Sequence, residues 1–119
     1  MVQALKDVAG MMALRHPNIL PVLGVSVEPE SRSLCMVMAH MEKNTLSDLI
    51  HNETVEFDLE AILKIAQEIA AAMSYVHQVR PGLIYRTLSP SSLLLDRNNC
   101  LYLADFPVSC RGWAVILFI

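Results

Sequence analysis

The sequence lacks the cysteine pattern of a disulfide framework and of a zinc site. It contains 3 cysteines and 4 histidines. Cys35, Cys100 and Cys110 are odd in number and irregularly spaced, no Cys-x-x-Cys pair occurs, and the histidines form no metal-ligand pattern with them. We therefore expect a reducing compartment and predict a cytoplasmic protein.

The sequence also lacks a dominant charge and a long apolar run. Its 9 basic and 12 acidic residues leave a net charge of −3, which provides no basic face for nucleic acid. The run GWAVILFI at the C-terminus is far shorter than the roughly 20 residues that span a bilayer, and the N-terminus lacks the apolar core of a signal peptide. We predict neither a nucleic-acid partner nor a membrane span.

Apolar side chains are abundant instead. Of 119 residues, 54% are hydrophobic and 18% are charged. A chain of this length holds at most one domain, and so apolar a composition at this size leaves apolar surface for another protein or for further chain to cover. We therefore predict a protein partner, or a larger protein of which this chain is a part.

Apolar periodicity predicts a helix, two strands, a short helix, a long helix and a small hairpin, in that order. The predicted bounds are 2–14, 19–29, 33–39, 45–51 and 59–79, followed by short apolar runs at 83–84, 93–95 and 100–104. Thr45 and Asp58 are predicted N-caps of the two later helices. Gly10 should weaken the first helix, Gly24 should break the first strand, and residues 96–99 should form a turn. The predicted apolar face of the long helix consists of Ile62, Ala66, Ile69, Met73 and Val76. The order is that of an α+β protein, because no alternating βαβ repeat occurs.

Several separated segments resemble the middle of a eukaryotic protein kinase domain, in the family's own order. LRHPNILPVLGV is similar to the end of the regulatory helix and the next strand. LCMVMAHMEKNTLSDLI is similar to the strand, hinge and short helix at the adenine pocket. ILKIAQEIAAAMSYVHQ resembles the long helix before the catalytic loop. Tyr85-Arg86-Thr87 then stands where the family has His-Arg-Asp, and Asp105-Phe106-Pro107 where it has Asp-Phe-Gly.

The spacing strengthens this resemblance. Four residues separate Thr87 from Ser92, as four separate the family's loop aspartate from its asparagine. The sequences HPNILPVLGV and LSDLI are most similar to the tyrosine-kinase-like serine/threonine branch of the family. The resemblance implies the central fragment of a kinase-like fold, with a partial domain over residues 1–110 and an apolar tail over 111–119 that is unrelated to the family.

The resemblance also implies a nucleotide pocket. Met38 matches the gatekeeper, Ala39, His40 and Met41 match the hinge, and Leu94 falls in the pocket. If the pocket is kept, its cofactors would be ATP and Mg²⁺, bound weakly or not at all.

The matching loop has lost its catalytic side chains at Tyr85, Arg86, Thr87, Ser89 and Ser92. Thr87 replaces the aspartate that accepts the substrate proton, and an alcohol is too weak a base for that role. Ser89 replaces a lysine that stabilises the transferring phosphate. Ser92 replaces a metal-binding asparagine, and a neutral hydroxyl is a poorer ligand for a hard cation.

Two acidic residues remain at family positions. Asp105 matches the metal-binding aspartate and could still hold one Mg²⁺. Asp7 matches the regulatory-helix glutamate, but it is one methylene shorter and its lysine partner does not occur in this sequence. Pro107 replaces the glycine of the metal-binding turn and restricts Phe106 to extended conformations.

Four bulky positions match the apolar stack that links the two lobes of a kinase: Met11, Val22, Tyr85 and Phe106. Plain core packing explains these four residues at least as well as a regulatory role. Arg86 would pair with a phosphorylated activation loop in an active kinase. Here we expect it to cap carbonyl groups or to lie in solvent.

Three hypotheses follow for function. The favoured one is a catalytically impaired, pseudokinase-like fragment that acts by binding a partner or, weakly, ATP. The second is a fragment of a serine/threonine kinase that transfers the ATP γ-phosphate to protein hydroxyls. The third is a truncated product without independent function. For the tail, an apolar strand is one interpretation, and sequence joined by alternative splicing or by a truncated gene model is favoured.

Overall fold

The fold comes from a computed structural model, which describes residues 2–30, 32, 34–41, 45–80, 88–104 and 113–118. For residues 2–5, 7, 34 and 113–118 only the backbone is described. The elements are α1 (Val2–Met12), β1 (Val22–Val27), β2 (Leu34–Met38), α2 (Leu46–Ile50), α3 (Leu59–Val79), a 3-10 turn (Pro90–Ser92), β3 (Leu93–Leu95), β4 (Leu101–Leu103) and β5 (Trp113–Phe118). The predicted α+β class is confirmed. The predicted strand at 83–84 lies outside the described residues.

Two small sheets organise the chain. In the first, β1 and β2 form an antiparallel hairpin, and β5 pairs parallel with β2, which gives the order β1-β2-β5. In the second, β3 and β4 pair antiparallel. The predicted break at Gly24 is a register shift between Val22 and Gly24 in the β1–β2 ladder.

Both predicted helix caps are confirmed. The Thr45 hydroxyl accepts a hydrogen bond from the Asp48 backbone N–H at 3.2 Å, and the Asp48 carboxylate accepts one from the Thr45 N–H at 3.2 Å. The Asp58 carboxylate accepts a bond from the Ala61 N–H at 2.8 Å. Each cap satisfies N–H groups that have no partner inside the helix, which fixes where α2 and α3 begin.

The first helix was predicted two residues too long. It ends at Met12, although the Ala13 N–H still donates to the Ala9 carbonyl at 3.3 Å. The Leu14 N–H then donates to the Met11 carbonyl at 3.0 Å in a tighter turn, and the Arg15 N–H donates to the Tyr75 hydroxyl at 2.8 Å. The residues just beyond the helix therefore leave its hydrogen-bond pattern, and a side chain of α3 holds Arg15.

The first strand was also predicted too long, at 19–29. The residues before Pro21 pair with β4 instead of β2: Ile19 bridges Leu103, and the Leu20 N–H donates to the Leu103 carbonyl at 3.0 Å. The sequence around Ile19 is extended, as predicted, but its partner is in the other sheet.

Gly10 was expected only to weaken α1, but the structure gives it a packing role. A Cβ on Gly10 would lie 2.9 Å from Cζ of Arg80, the residue that follows α3. Glycine therefore leaves room for the guanidinium group against the helix backbone.

The core lies where α1, α3 and both sheets meet. Val76 and Leu101 are completely buried, and Val8, Leu20 and Met38 are nearly so. On α3 the predicted apolar face was partly wrong, because Ile62 is 51% exposed, while Ile65 and Ala72 are buried. Leu59 and Leu63 are also exposed. Within the described residues, no helix is long and apolar enough to cross a membrane.

Leu101→Ala should lower the free energy of unfolding by about 2–5 kcal/mol, because it removes a fully buried side chain and leaves a cavity. Urea unfolding followed by circular dichroism measures the change. The matched control is Leu59→Ala, whose side chain is 71% exposed, and which should change stability by less than about 0.5 kcal/mol. Equal effects of the two substitutions would contradict the burial pattern.

Candidate nucleotide pocket and catalytic loop

The residues predicted to line the nucleotide pocket follow β2 and meet β3. Met38 ends β2 and is 1% exposed, whereas His40 is exposed. Ala39, Met41 and Leu94 are half-buried and pack against the same core. The structure thus brings these apolar side chains to one core, and their nucleotide-binding role stays a prediction.

The contact that joins the two segments is backbone pairing just after the hinge positions. Thr45 forms an antiparallel bridge with Leu94. Because Thr45 also caps α2, the start of that helix is held beside β3. The start of α2 therefore has a fixed position relative to the loop that precedes β3.

The serine-rich loop before β3 is folded by its own hydroxyls. Ser92 is 4% exposed, and its hydroxyl donates to the Ser89 carbonyl at 2.8 Å while accepting from the Ser89 N–H at 3.2 Å. The Ser92 carbonyl accepts a bond from the Ala104 N–H at 3.0 Å. Ser89 and Ser91 share a further hydroxyl–hydroxyl bond of 2.7 Å.

This arrangement decides how Ser92 can act. A hydroxyl has one proton and two lone pairs. At Ser92 the proton and one lone pair are used inside the loop, and the side chain is buried. The described geometry therefore does not fit a Mg²⁺ ligand at Ser92, and among the described residues no three His, Cys, Asp or Glu side chains cluster as metal ligands.

Several predicted site residues lie outside the described part of the chain. These are the loop positions Tyr85, Arg86 and Thr87, together with Asp105 and Phe106 of the metal-binding turn. The side chain of Asp7 is likewise outside it. Of the predicted apolar stack, Met11 and Val22 are both buried and belong to one core cluster.

Asp96 organises the turn between β3 and β4, a role that the sequence analysis missed. Its carboxylate accepts bonds from the N–H groups of Asn98 and Cys100, at 2.8 and 2.9 Å, and from the Tyr102 hydroxyl at 3.2 Å. Asn99 has a left-handed backbone with φ of 60°, which asparagine tolerates better than most residues. The sequence Asp-x-Asn-Asn could have indicated this role of Asp96, because an Asp side chain at the start of a turn often accepts hydrogen bonds from the backbone N–H groups that follow it.

The carboxyl group and the phenol perturb each other. Burial alone would raise the pKa of Asp96, but the bonds from Cys100, Asn98 and Tyr102 outweigh it and lower the pKa. Burial raises the pKa of Tyr102, and the neighbouring Asp96 carboxylate raises it further. The ionised Asp96 is therefore part of the fold of this hairpin.

A cavity of about 220 Å³ lies elsewhere, between the start of α3 and the β3–β4 turn. Phe57, Asp58, Lys64 and Asn98 are among its lining residues, and none of the predicted pocket residues is. Ligand pockets are usually about 300–1,000 Å³, so this cavity is small for a nucleotide.

Comparisons with known proteins agree with the resemblance. The sequence profile described as protein tyrosine and serine/threonine kinase matches residues 1–112. The serine/threonine-protein kinase STY46 of Arabidopsis thaliana is 33% identical over 104 residues, which are 87% of this chain and 17% of that protein. The serine/threonine-protein kinase CTR1 of the same plant is 31% identical over 107 residues, 88% of this chain and 13% of that protein.

A solved structure of an apo pseudokinase has the same fold. It superposes with a TM-score of 0.78 at 22% identity and covers 91% of this chain and 39% of the other. The chain thus spans less than a fifth of the length of these two curated relatives and about two fifths of the solved pseudokinase.

Asp96→Asn should destabilise the protein more at pH 7 than at pH 3. The pKa of Asp96 in the folded state lies below the ordinary value of 3.8, so its ionised form stabilises the fold above about pH 4 and this stabilisation is lost as pH falls through the folded-state pKa. Urea unfolding of both proteins at the two pH values measures this. Asp58→Asn is the comparison variant. It also removes one carboxylate, but its amide oxygen can still accept the hydrogen bond from the Ala61 N–H at the α3 cap. A pH-independent difference between wild type and Asp96→Asn would contradict the assignment.

Proposed function

The chain belongs to the protein tyrosine and serine/threonine kinase family, and we propose that within it the chain is a catalytically impaired, pseudokinase-like segment. The observation that carries the proposal is Ser92. At the position matched to the family's metal-binding asparagine, this chain has a buried hydroxyl that is bonded to Ser89.

The sequence of the loop supports the same proposal. Thr87 has no group that could take a proton from a substrate hydroxyl at neutral pH, and a positioned general base contributes about 10²–10⁴-fold to rate. Ser89 has no positive charge, and losing one preorganised electrostatic contact costs roughly 3–4 kcal/mol of transition-state stabilisation. Such effects do not simply add, but together they leave little rate for phosphoryl transfer.

The proposed role is binding. The apolar residues around Met38 and Leu94 could hold an adenine ring between β2 and β3, with Asp105 as the remaining carboxylate at the family's metal positions. We propose weak ATP binding or none, and a scaffolding or regulatory role in signalling through a protein partner in the cytoplasm. The exposed Leu59, Ile62 and Leu63 on α3 offer apolar surface for such a partner or for further parts of a kinase domain.

A low-activity serine/threonine kinase is the second candidate, and the similarity to the plant serine/threonine kinases favours it. It would have to use Asp105 and another carboxylate in place of the missing groups. A truncated product without function is the third candidate, and it predicts that the isolated chain aggregates or shows no cooperative melting.

With radiolabelled ATP, Mg²⁺ and generic protein substrates, we expect no transfer above background and no autophosphorylation, because the loop lacks its base and its cation. Asp105→Asn is the matched control, since it removes the remaining metal-binding carboxylate with little change in size. Clear transfer by the wild type that Asp105→Asn abolishes would refute the proposal and support the kinase alternative.

Thermal melting tests binding separately from transfer. A ligand that binds only the folded state raises the free energy of unfolding by RT ln(1 + [L]/Kd), and the melting temperature rises as a result. We expect a cooperative transition that millimolar MgATP raises by a few degrees at most, with the same melt in Mg²⁺ alone as the control for a shift caused by the cation. The absence of any cooperative transition would favour the truncated-product hypothesis.

Restoring the family's catalytic side chains tests whether their replacement accounts for the expected lack of phosphoryl transfer. The triple variant Thr87→Asp, Ser89→Lys, Ser92→Asn, placed in a chimaera that supplies the missing parts of a kinase domain, should gain Mg²⁺-dependent transfer over the same chimaera with the natural loop. The control is Thr87→Asn, Ser89→Gln, Ser92→Asn, which has similar side chains without the base and the cation. Equal inactivity of all three chimaeras would mean that the frame, and not the loop, is impaired.

A further inference from the structure

The C-terminal strand β5 forms one edge of the three-stranded sheet. It runs parallel to β2, with Cys35 opposite Val115, Met36 opposite Ile116 and Met38 opposite Phe118. Because the strand order is β1-β2-β5, β1 is the other edge. Within the described residues, the backbone groups of β5 that face away from β2 have no strand beside them.

The two edges differ in how far they resist further pairing. The β1 edge contains Gly24 and a register shift, and the charged Glu28 and Pro29 follow it. Bulges, charges and prolines are the features that protect natural edge strands. The β5 edge has a register shift between Trp113 and Val115, but WAVILF contains no charge, no proline and no glycine, and the pairing with β2 is regular from Val115 to Phe118. A six-residue segment of this kind has the composition of a strand that pairs readily with another strand.

We propose that the outer edge of β5 is a strand-pairing surface, and that its partner is the same strand of a second copy of this chain. A two-fold axis places identical strands antiparallel to each other. Like charges directly opposite destabilise such a pair, and β5 has no charge to repel its copy. Two three-stranded sheets then become one six-stranded sheet, a size within the usual range for sheets.

The expected dimer is reversible. A strand of six residues is about 20 Å long, and a single strand pair is small beside the roughly 1,200–2,000 Å² that a stable interface buries. Association should therefore depend on concentration. This proposal does not depend on the proposed function, because it concerns an edge of the sheet and not the loop or the pocket.

Charge exchange at the centre of β5 tests the proposal. Sedimentation velocity of the wild type between 1 and 200 µM should show a monomer–dimer equilibrium. Ile116→Lys and Ile116→Glu should each be monomeric over this range, since like charges meet across the axis, and an equimolar mixture of the two should dimerise again. Because successive residues of a strand face opposite sides of the sheet, the Lys and Glu variants are also made at Leu117, so that both faces are tested. The matched control, Ser26→Lys on the exposed β1 edge, should dimerise like the wild type.

A disulfide trap verifies that β5 stays docked in these variants. Adjacent strands are about 4.8 Å apart, which is within the Cα separation that a disulfide spans. In a Cys100→Ser, Cys110→Ser background, Val115→Cys should form an internal disulfide with the native Cys35 on mild oxidation. Ile116→Cys, which lies opposite Met36, should form much less.

Three results would overturn the proposal. The first is a wild type that remains monomeric at 200 µM while the internal disulfide forms. The second is a mixture of Lys and Glu variants that stays monomeric at both positions. The third is open-ended aggregation in place of a dimer, or loss of the dimer in Ser26→Lys. Failure of the Val115→Cys disulfide in the Cys100→Ser, Cys110→Ser background without a charge substitution would remove the docked strand on which the proposal rests.

Discussion

The structure depends on the short segment from Leu14 to Leu20, which lies between α3 and β4. The Arg15 N–H donates to the Tyr75 hydroxyl, and the rings of His16 and Tyr75 are 5.1 Å apart. The Asn18 side chain donates to the Leu101 carbonyl at 3.0 Å, while the Asn18 carbonyl accepts from the Leu103 N–H at 2.8 Å. These bonds connect α1 and the β1–β2 hairpin to the other half of the chain. They hold the two sheets together beside the apolar core to which both contribute.

The geometry of the candidate site depends on these hydrogen bonds. The β3–β4 hairpin cannot shift freely, because β4 bonds both to residues 18–20 and to Glu68 of α3, whose carboxylate accepts from the Leu101 N–H at 2.9 Å. The hairpin in turn fixes Ser92, whose carbonyl is bonded to Ala104. The described part of the loop, residues 88–92, is thereby held beside β4, and its serine side chains bond within the loop.

Local signals in the sequence were reliable where one side chain satisfies nearby backbone groups. Thr45 and Asp58 were identifiable as caps because a cap acts within three or four residues of its helix. The start of α3 followed for the same reason, and the turn at 96–99 followed from its Asp and Asn residues. The errors came where the competing partner is distant in sequence. Tyr75 holds Arg15 just beyond the end of α1, and Leu103 pairs with the residues before β1. On α3, Ile65 is buried in the core and Ile62 is exposed. Apolar periodicity is judged within a window of about 15 residues. It therefore carries no information about contacts between residues that lie farther apart.

The sequence by itself determined the family, the order of the elements and which catalytic side chains are absent, because these depend on residue identity and spacing along the chain. Only the tertiary structure decided that the Ser92 hydroxyl is turned into its own loop, that Asp96 holds a turn as an ionised carboxylate, and that the tail is a strand beside β2. Each of these depends on which atoms meet after folding. A hydroxyl, a carboxylate or an apolar run has several partners within its reach, and packing selects one of them.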